Sequence, residues 1–294
     1  MNSTTRSSGG WKWALIPTLV VSALLFAPLA VLLRLSVTAG GGMNGGSGFY
    51  EAGTWTLTVW RKLLRDPYFQ EVCLFTVQLG LVVTAVCLLV GYPVAIAIRG
   101  ATPRWKPWLL AGIVIPKLSN LLVTVYGLKL ILGDHGPVNR FLSFVGVTIV
   151  PLALQNNLAG VIIGKTLLVL PYTVLFLWIG LEQIDRRIPA AARGLGASRW
   201  QTFRLVTLPL SLPALHAAAL ISLIWACGAF ISPYLLGSPQ QITLSVDVQR
   251  QMFDNRNWPR AAAEGIALVA LISIISSTAA AVGRWLQSRS GHTL

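Results

Sequence analysis

Ala159-Gly-Val-Ile-Ile-Gly-Lys-Thr166 is the stretch whose spacing points to phosphate chemistry, because it fits a relaxed phosphate-loop pattern with Ala in place of the first Gly. Such a loop needs a strand before it, a water-accessible turn and a helix after it. Here the pattern lies inside an apolar run, and Val161 to Ile163 would fill the turn with β-branched side chains, so it reads as part of a membrane span. His135, His216 and His292 are too scattered for a metal site or a triad, and Cys73, Cys87 and Cys227 show no metal-type spacing. Catalysis and a bound metal are therefore not expected. Lys117, Lys129 and Lys165 are different: they fall within apolar runs, where a charge lines a cavity or finds a partner. Lys129 and Lys165 lie near span ends and are expected to snorkel. Lys117 directly follows Pro116 and stands roughly 13 Å into its span. There it either lines a pathway or serves structure.

The elements that must hold these residues are set by composition. Of 294 residues, 54% are hydrophobic and 11% charged, with a mean hydropathy of +0.68, whereas soluble domains carry about 25% charged residues. The formal charge of +14 is spread along connections between apolar runs, which argues against nucleic acid as a partner and for a lipid bilayer. Apolar stretches of about twenty residues predict six transmembrane helices: Ala14–Leu33, Cys73–Ile98, Trp108–Leu132, Leu158–Leu181, Ala214–Leu236 and Ala261–Gly283. The first is read as a retained signal anchor, followed by a flexible glycine-rich stretch from Gly40 to Gly48. With the N-terminus inside, twelve Lys/Arg fall on cytoplasmic pieces and eight outside. The short connections Arg99–Pro107 and Glu182–Pro213 are distinctly basic, so both termini and the latter loop are expected on the cytoplasmic side.

That loop carries five arginines (186, 187, 193, 199 and 204) against Glu182 and Asp185. An alanine-rich run from Pro189 predicts a short helix started by proline, with Gly194 and Gly196 ending it or turning the chain. Pro209 and Pro213 are expected to block smooth continuation into the next span. The segment resembles the cytoplasmic Glu-Ala-Ala coupling loop of ABC importer permeases. Ala191, Ala192, Gly196, Val206, Leu208 and Pro209 match, and the family's Glu is Ala190 here. Leu170 to Asp185 resembles the approach to that loop in spermidine/putrescine-type permeases. Pro116, Asn120, Tyr126, Gly133, Gly136 and Asn139 resemble that subfamily's third span and following turn, and Phe230–Pro233, Leu236-Gly237 and Trp258-Pro259 its fifth span and next loop.

The resemblance implies an all-α integral membrane protein with six transmembrane helices and a short coupling helix between helices 4 and 5. Residues 1–72 would hold a cytoplasmic tail, the first span and a long extracytoplasmic loop; 73–283 the permease domain; and 284–294 a cytoplasmic tail of a protein in the cell inner membrane. It implies a second, similar permease chain, two ATP-binding subunits docked on the loops, and an extracytoplasmic solute-binding protein. ATP and Mg would sit on the partner ATPase, with no cofactor on this chain. The docking residues would be Ala190, Ala191, Ala192, Arg193, Gly196, Ala197, Ser198, Leu208 and Pro209. From composition alone, a basic amphipathic segment lying on anionic lipid reads as well.

Lys117, Asn120, Tyr126, Tyr172, Trp225, Phe230 and Tyr234 are the candidate pathway residues. The resemblance suggests a polyamine, for which aromatic faces suit ammonium groups. Against it, no acid lies within the core of a span and Lys117 would repel a polycation, which suits an organic anion or amino-acid derivative better. A stand-alone secondary transporter is the alternative class, but neither inverted repeats nor a mid-bilayer coupling acid is evident.

Overall fold

The computed structural model describes residues 10–39, 54–147 and 150–290. The glycine-rich stretch Gly40–Gly48 and both chain ends lie outside the described residues. All regular structure among the described residues is helical: α1 (Gly10–Ser36), α2 (Thr58–Arg65), α3 (Pro67–Gly100), α4 (Lys106–Leu118), α5 (Leu121–Ile131), α6 (Pro137–Phe144), α7 (Leu158–Glu182), α8 (Arg187–Gly194), α9 (Arg199–Thr202), α10 (Leu208–Gly228), α11 (Ile231–Leu236), α12 (Leu244–Phe253) and α13 (Trp258–Ser290). A π-helical turn, Phe203–Thr207, joins α9 to α10. Five stretches are long and apolar enough to cross a bilayer, and α4 with α5 makes a sixth candidate.

Two of the expected spans are corrected. Trp108–Leu132 is two helices bent by 100°. The break sits at Ser119–Asn120, where both residues are extended and the Asn120 side chain accepts the Leu122 N–H at 2.9 Å, so α5 starts afresh with its own cap. Hydropathy cannot register this break, because both halves are equally apolar. The stretch expected as Ala214–Leu236 instead runs helically from Arg199 to Gly228 and stops before the separate helix α11. Pro209 and Pro213 do not block it. In the π turn the Leu208 N–H reaches five residues back to the Phe203 carbonyl. That widened turn relieves the clash of a proline ring with the turn before it.

The chain divides into two compact units, residues 1–69 with 247–267 and residues 70–246 with 268–294. In the first unit the Trp60 indole donates to Ser36 Oγ at 3.3 Å. Arg260 bridges Asp66 and the fully buried Glu264, each at 2.8 Å. A buried carboxylate needs such a partner, since a lone charge out of water costs several kcal/mol. Tyr68 donates to Asp247 at 3.3 Å, and burial pushes the Asp247 carboxyl up from its ordinary range, with the Arg260 charge opposing.

In the second unit α7 packs along α10, and several hydroxyl groups are buried between helices while many large apolar side chains face out. Thr173 and Ser222 share a hydrogen bond of 2.7 Å between these helices, and Tyr92 of α3 shares one of 2.6 Å with Ser211. Thr76, Thr84 and Ser232 are buried, whereas Leu89 and Leu130 are three-quarters exposed. This inverted polarity suits a lipid surround, where backbone and side-chain polar groups must be satisfied inside the protein. Apolar packing falls into two clusters, one around Val83, Val161 and Ala226 and one around Ala95, Leu177 and Ala218. Lys165, expected to snorkel, is fully buried instead. Its Nζ donates to the Ala226 carbonyl at 2.8 Å, in the last turn of α10, where helix carbonyls carry partial negative charge.

Close approach of α7 and α10 depends on Gly180, where a Cβ would collide with Ala214. Gly180→Leu should cost roughly 1–3 kcal/mol through overpacking. It should lower the thermal unfolding midpoint in detergent, and a wild-type midpoint would show that the helices separate freely there.

Candidate functional site

The Glu182–Pro213 loop is built from local rules. Its base is clamped by charge: the Glu182 carboxylate takes Lys106 and, at 3.3 Å, Arg186, while Arg99 donates to the Ile184 carbonyl at 2.7 Å. Asp185 accepts the Arg187 N–H at 2.9 Å and opens α8. The helix therefore begins at Arg187, two residues before the expected proline start, and Pro189 fits its first turn, where a missing N–H costs nothing. At the far end the Gly196 and Ala197 N–H groups return to the Arg193 and Ala192 carbonyls, and Gly196 has φ +92°. This is a Schellman closure with the left-handed residue supplied by glycine. Ser198 follows at once with a capping box, its Oγ accepting the Gln201 N–H while Gln201 Oε1 accepts the Ser198 N–H. Gly194 ends the helix without leaving the ordinary region.

Of the loop residues singled out from sequence, Ala190, Ala191 and Arg193 are exposed, Ala192 and Ala197 are half-buried, and Leu208 and Pro209 open α10. Sequence reasoning missed Leu195, which is 91% exposed at the tip of the turn. The signal was there: an apolar residue placed between two glycines in a charged loop. Trp200 stacks on Phe203, with ring centroids 5.4 Å apart.

The pathway candidates divide into groups. Lys117, in the last turn of α4, donates to the Leu168 carbonyl and lies 4.5 Å from the centroid of the Tyr172 ring. Tyr172 in turn stacks on Trp225 at 4.8 Å and 14°. Phe230 and Tyr234 form a second stack at 5.0 Å. Asn120 serves as the cap of α5, and Tyr126 is half exposed on that helix. Pro171 removes one backbone donor from α7 close to the turn that receives Lys117. Asn139 is buried and ties the Gly133 and Leu152 backbones together, which makes it a structural part of the turn. The phosphate-loop lookalike is helical, capped by Asn157, and its Lys165 is spent on Ala226.

The helical fold has counterparts among known proteins. Residues 13–290 match the family described as the binding-protein-dependent transport system inner membrane component. The chain belongs to that family: it is a multi-pass inner-membrane permease of a binding-protein-dependent ABC importer, a transport subunit and not an enzyme. It is 32% identical over 263 residues to the spermidine/putrescine transport system permease protein PotB of Haemophilus influenzae, covering 90% of this chain and 86% of that protein. It is 33% identical over 220 residues to PotB of Escherichia coli, covering 75% and 80%. A bacterial ABC transporter involved in import of the acidic polysaccharide alginate shares the fold, with a TM-score of 0.71 over 93% of this chain and 94% of that chain at 18% identity.

Gly196→Val should open the loop without disturbing membrane insertion. A β-branched residue in the left-handed region costs about 1–2 kcal/mol and loses the Schellman bonds. Limited proteolysis of the full chain should then cut between residues 194 and 199 several-fold faster than in the wild type. Equal cleavage rates would place the turn's stability elsewhere.

Proposed function

We propose that this chain is one of two permease subunits that together enclose the translocation pathway of an ATP-driven importer, with its partner a different, similar chain. Six spans, the bent pair α4 and α5 counted as the third, run from a cytoplasmic N-terminus to a cytoplasmic C-terminus, and residues 73–283 form the permease domain. The Glu182–Pro213 loop docks on an ATP-binding subunit, which holds ATP and Mg, and an extracytoplasmic binding protein delivers the solute. The observation that carries this reading is the construction of the loop. A short helix clamped at its base by Glu182, Lys106 and Arg186 and closed by Gly196 presents the apolar Leu195 to the exterior. A rigid, partly apolar projection is what a partner pocket grips. Rotation of the ATP-binding subunits would reach the spans through it, and α9, the π turn and α10 form one helical stretch for that transfer. At Ala190, where the family carries Glu, the chain offers no carboxylate, so the docking contact rests on shape and on the exposed Leu195.

For the solute, two relatives named for spermidine and putrescine support a polyamine. Lys117, the lysine that spoke for an anion, is engaged with the Leu168 carbonyl and the Tyr172 ring, and Lys165 with the Ala226 carbonyl. Lys165 is fully buried, and Lys117 is held in place by the carbonyl and the ring. Tyr172 is engaged by Lys117 and Trp225, so the aromatic faces that ammonium groups favour come from Trp225 and from the Phe230–Tyr234 stack.

Leu195→Asp in the reconstituted importer should reduce substrate-stimulated ATP hydrolysis at least ten-fold while the permease still inserts. Undiminished stimulation would remove the loop from the docking surface. Lys117→Ala should change spermidine uptake by proteoliposomes, and Lys129→Ala should not. Equal, wild-type uptake in both would make Lys117 purely structural, and absence of spermidine uptake by the wild-type importer would reject the polyamine.

A further inference from the structure

Beside the loop lies a cavity of about 630 Å³ whose walls include Arg99, Arg186, Arg193 and Arg199. Arg99 comes from the end of α3, Arg186 and Arg193 from the base and last turn of α8, and Arg199 from the first turn of α9. Arg99 donates to the Ile184 carbonyl, Arg186 to the Arg99 carbonyl and Glu182, and Arg193 to the Pro189 carbonyl. These bonds satisfy donors without cancelling charge, and the one carboxylate among these partners, Glu182, is shared with Lys106. The cluster therefore lacks a matching negative charge. Ile96 and Phe203 line the same cavity and give it an apolar wall beside the cationic one. Phe203 and Thr207 are the two ends of the π turn and both face the cavity, so the widened turn is what shapes this side of it. π turns of this kind gather at functional sites. A lining that combines arginines with apolar residues, at the end of a transmembrane helix, fits an amphiphilic anion better than a free inorganic one.

We propose that this cavity binds the headgroup of one anionic phospholipid, with its phosphate among Arg99, Arg186, Arg193 and Arg199 and the glycerol and upper acyl chain against Ile96 and Phe203. The site rests on the orientation given under Proposed function, because anionic lipid carries the negative potential of the cytoplasmic leaflet. Bound there, the lipid neutralises the arginines that flank α8 and ties the loop to the membrane surface. Its presence then sets the angle at which the loop meets its partner.

The test is native mass spectrometry of the assembled, delipidated importer titrated with phosphatidylglycerol or phosphatidylcholine. Phosphatidylglycerol should bind at least ten-fold more tightly, and glycerol phosphate at equal concentration should not displace it. Arg193→Gln with Arg199→Gln should weaken that binding roughly ten-fold or more, while Arg61→Gln with Lys62→Gln, which removes the same charge elsewhere, should leave it unchanged. Should the double variant fail to assemble, Arg199→Gln alone makes the same comparison with a smaller loss. Equal binding of the two lipids, equal loss in both double variants, or displacement by glycerol phosphate would each overturn the lipid site, the last by showing a site for phosphate alone. The readout is binding, so its failure leaves the transport reading intact, and a failure of transport leaves a measured lipid site standing.

Discussion

In lipid, helices gain nothing from hiding apolar side chains, so close backbone approach and hydrogen bonds between helices must hold them together. The α7–α10 contact meets this need. Gly180 lets Ala214 in close, Thr173 and Ser222 share a hydroxyl bond, and Lys165 reaches across to the Ala226 carbonyl. Each interhelical bond is worth only roughly 0.6 kcal/mol on average, so the contact works through their number and through packing of small residues. Much else is referred to it. Tyr172 and Trp225, one from each helix, stack because this contact holds them in register, and α10 leads back through the π turn to the loop.

The treatment of charge follows one rule throughout. Charges at the ends of spans are paired or bonded to carbonyls, as with Glu182, Lys106 and Arg186 at the loop base and Asp66, Arg260 and Glu264 in the other unit. Charges deeper in the spans are lysines directed at helix carbonyls, Lys117 at Leu168 and Lys165 at Ala226. The arginines of the loop are the exception, with more cations than nearby acids.

The loop itself combines rigidity with exposure. The clamp at Glu182, the closure at Gly196 and the capping box at Ser198 fix the backbone from both sides, while Leu195, Ile188 and Trp200 remain outside. Because the loop's conformation is settled by its own bonds, any contact it makes loses little ordering entropy.

The helical class and the family were legible in the sequence, because these depend on local quantities: runs of apolar residues, glycine and proline positions and spaced motifs. The sequence also narrowed the turn to Gly194 and Gly196, since a left-handed residue at a helix end is a local demand, and the structure assigns it to Gly196. Only the tertiary structure decided the break at Asn120, the passage of the helix through Pro209 and Pro213, and the burial of Lys165. A hydropathy window averages over a cap of one residue, and a proline signals a break unless a neighbouring turn can widen. The fate of a lysine in a span depends on whether a carbonyl from another helix comes within reach. That is a matter of residues far apart in the chain, 61 positions for Lys165 and Ala226, and no local pattern encodes it.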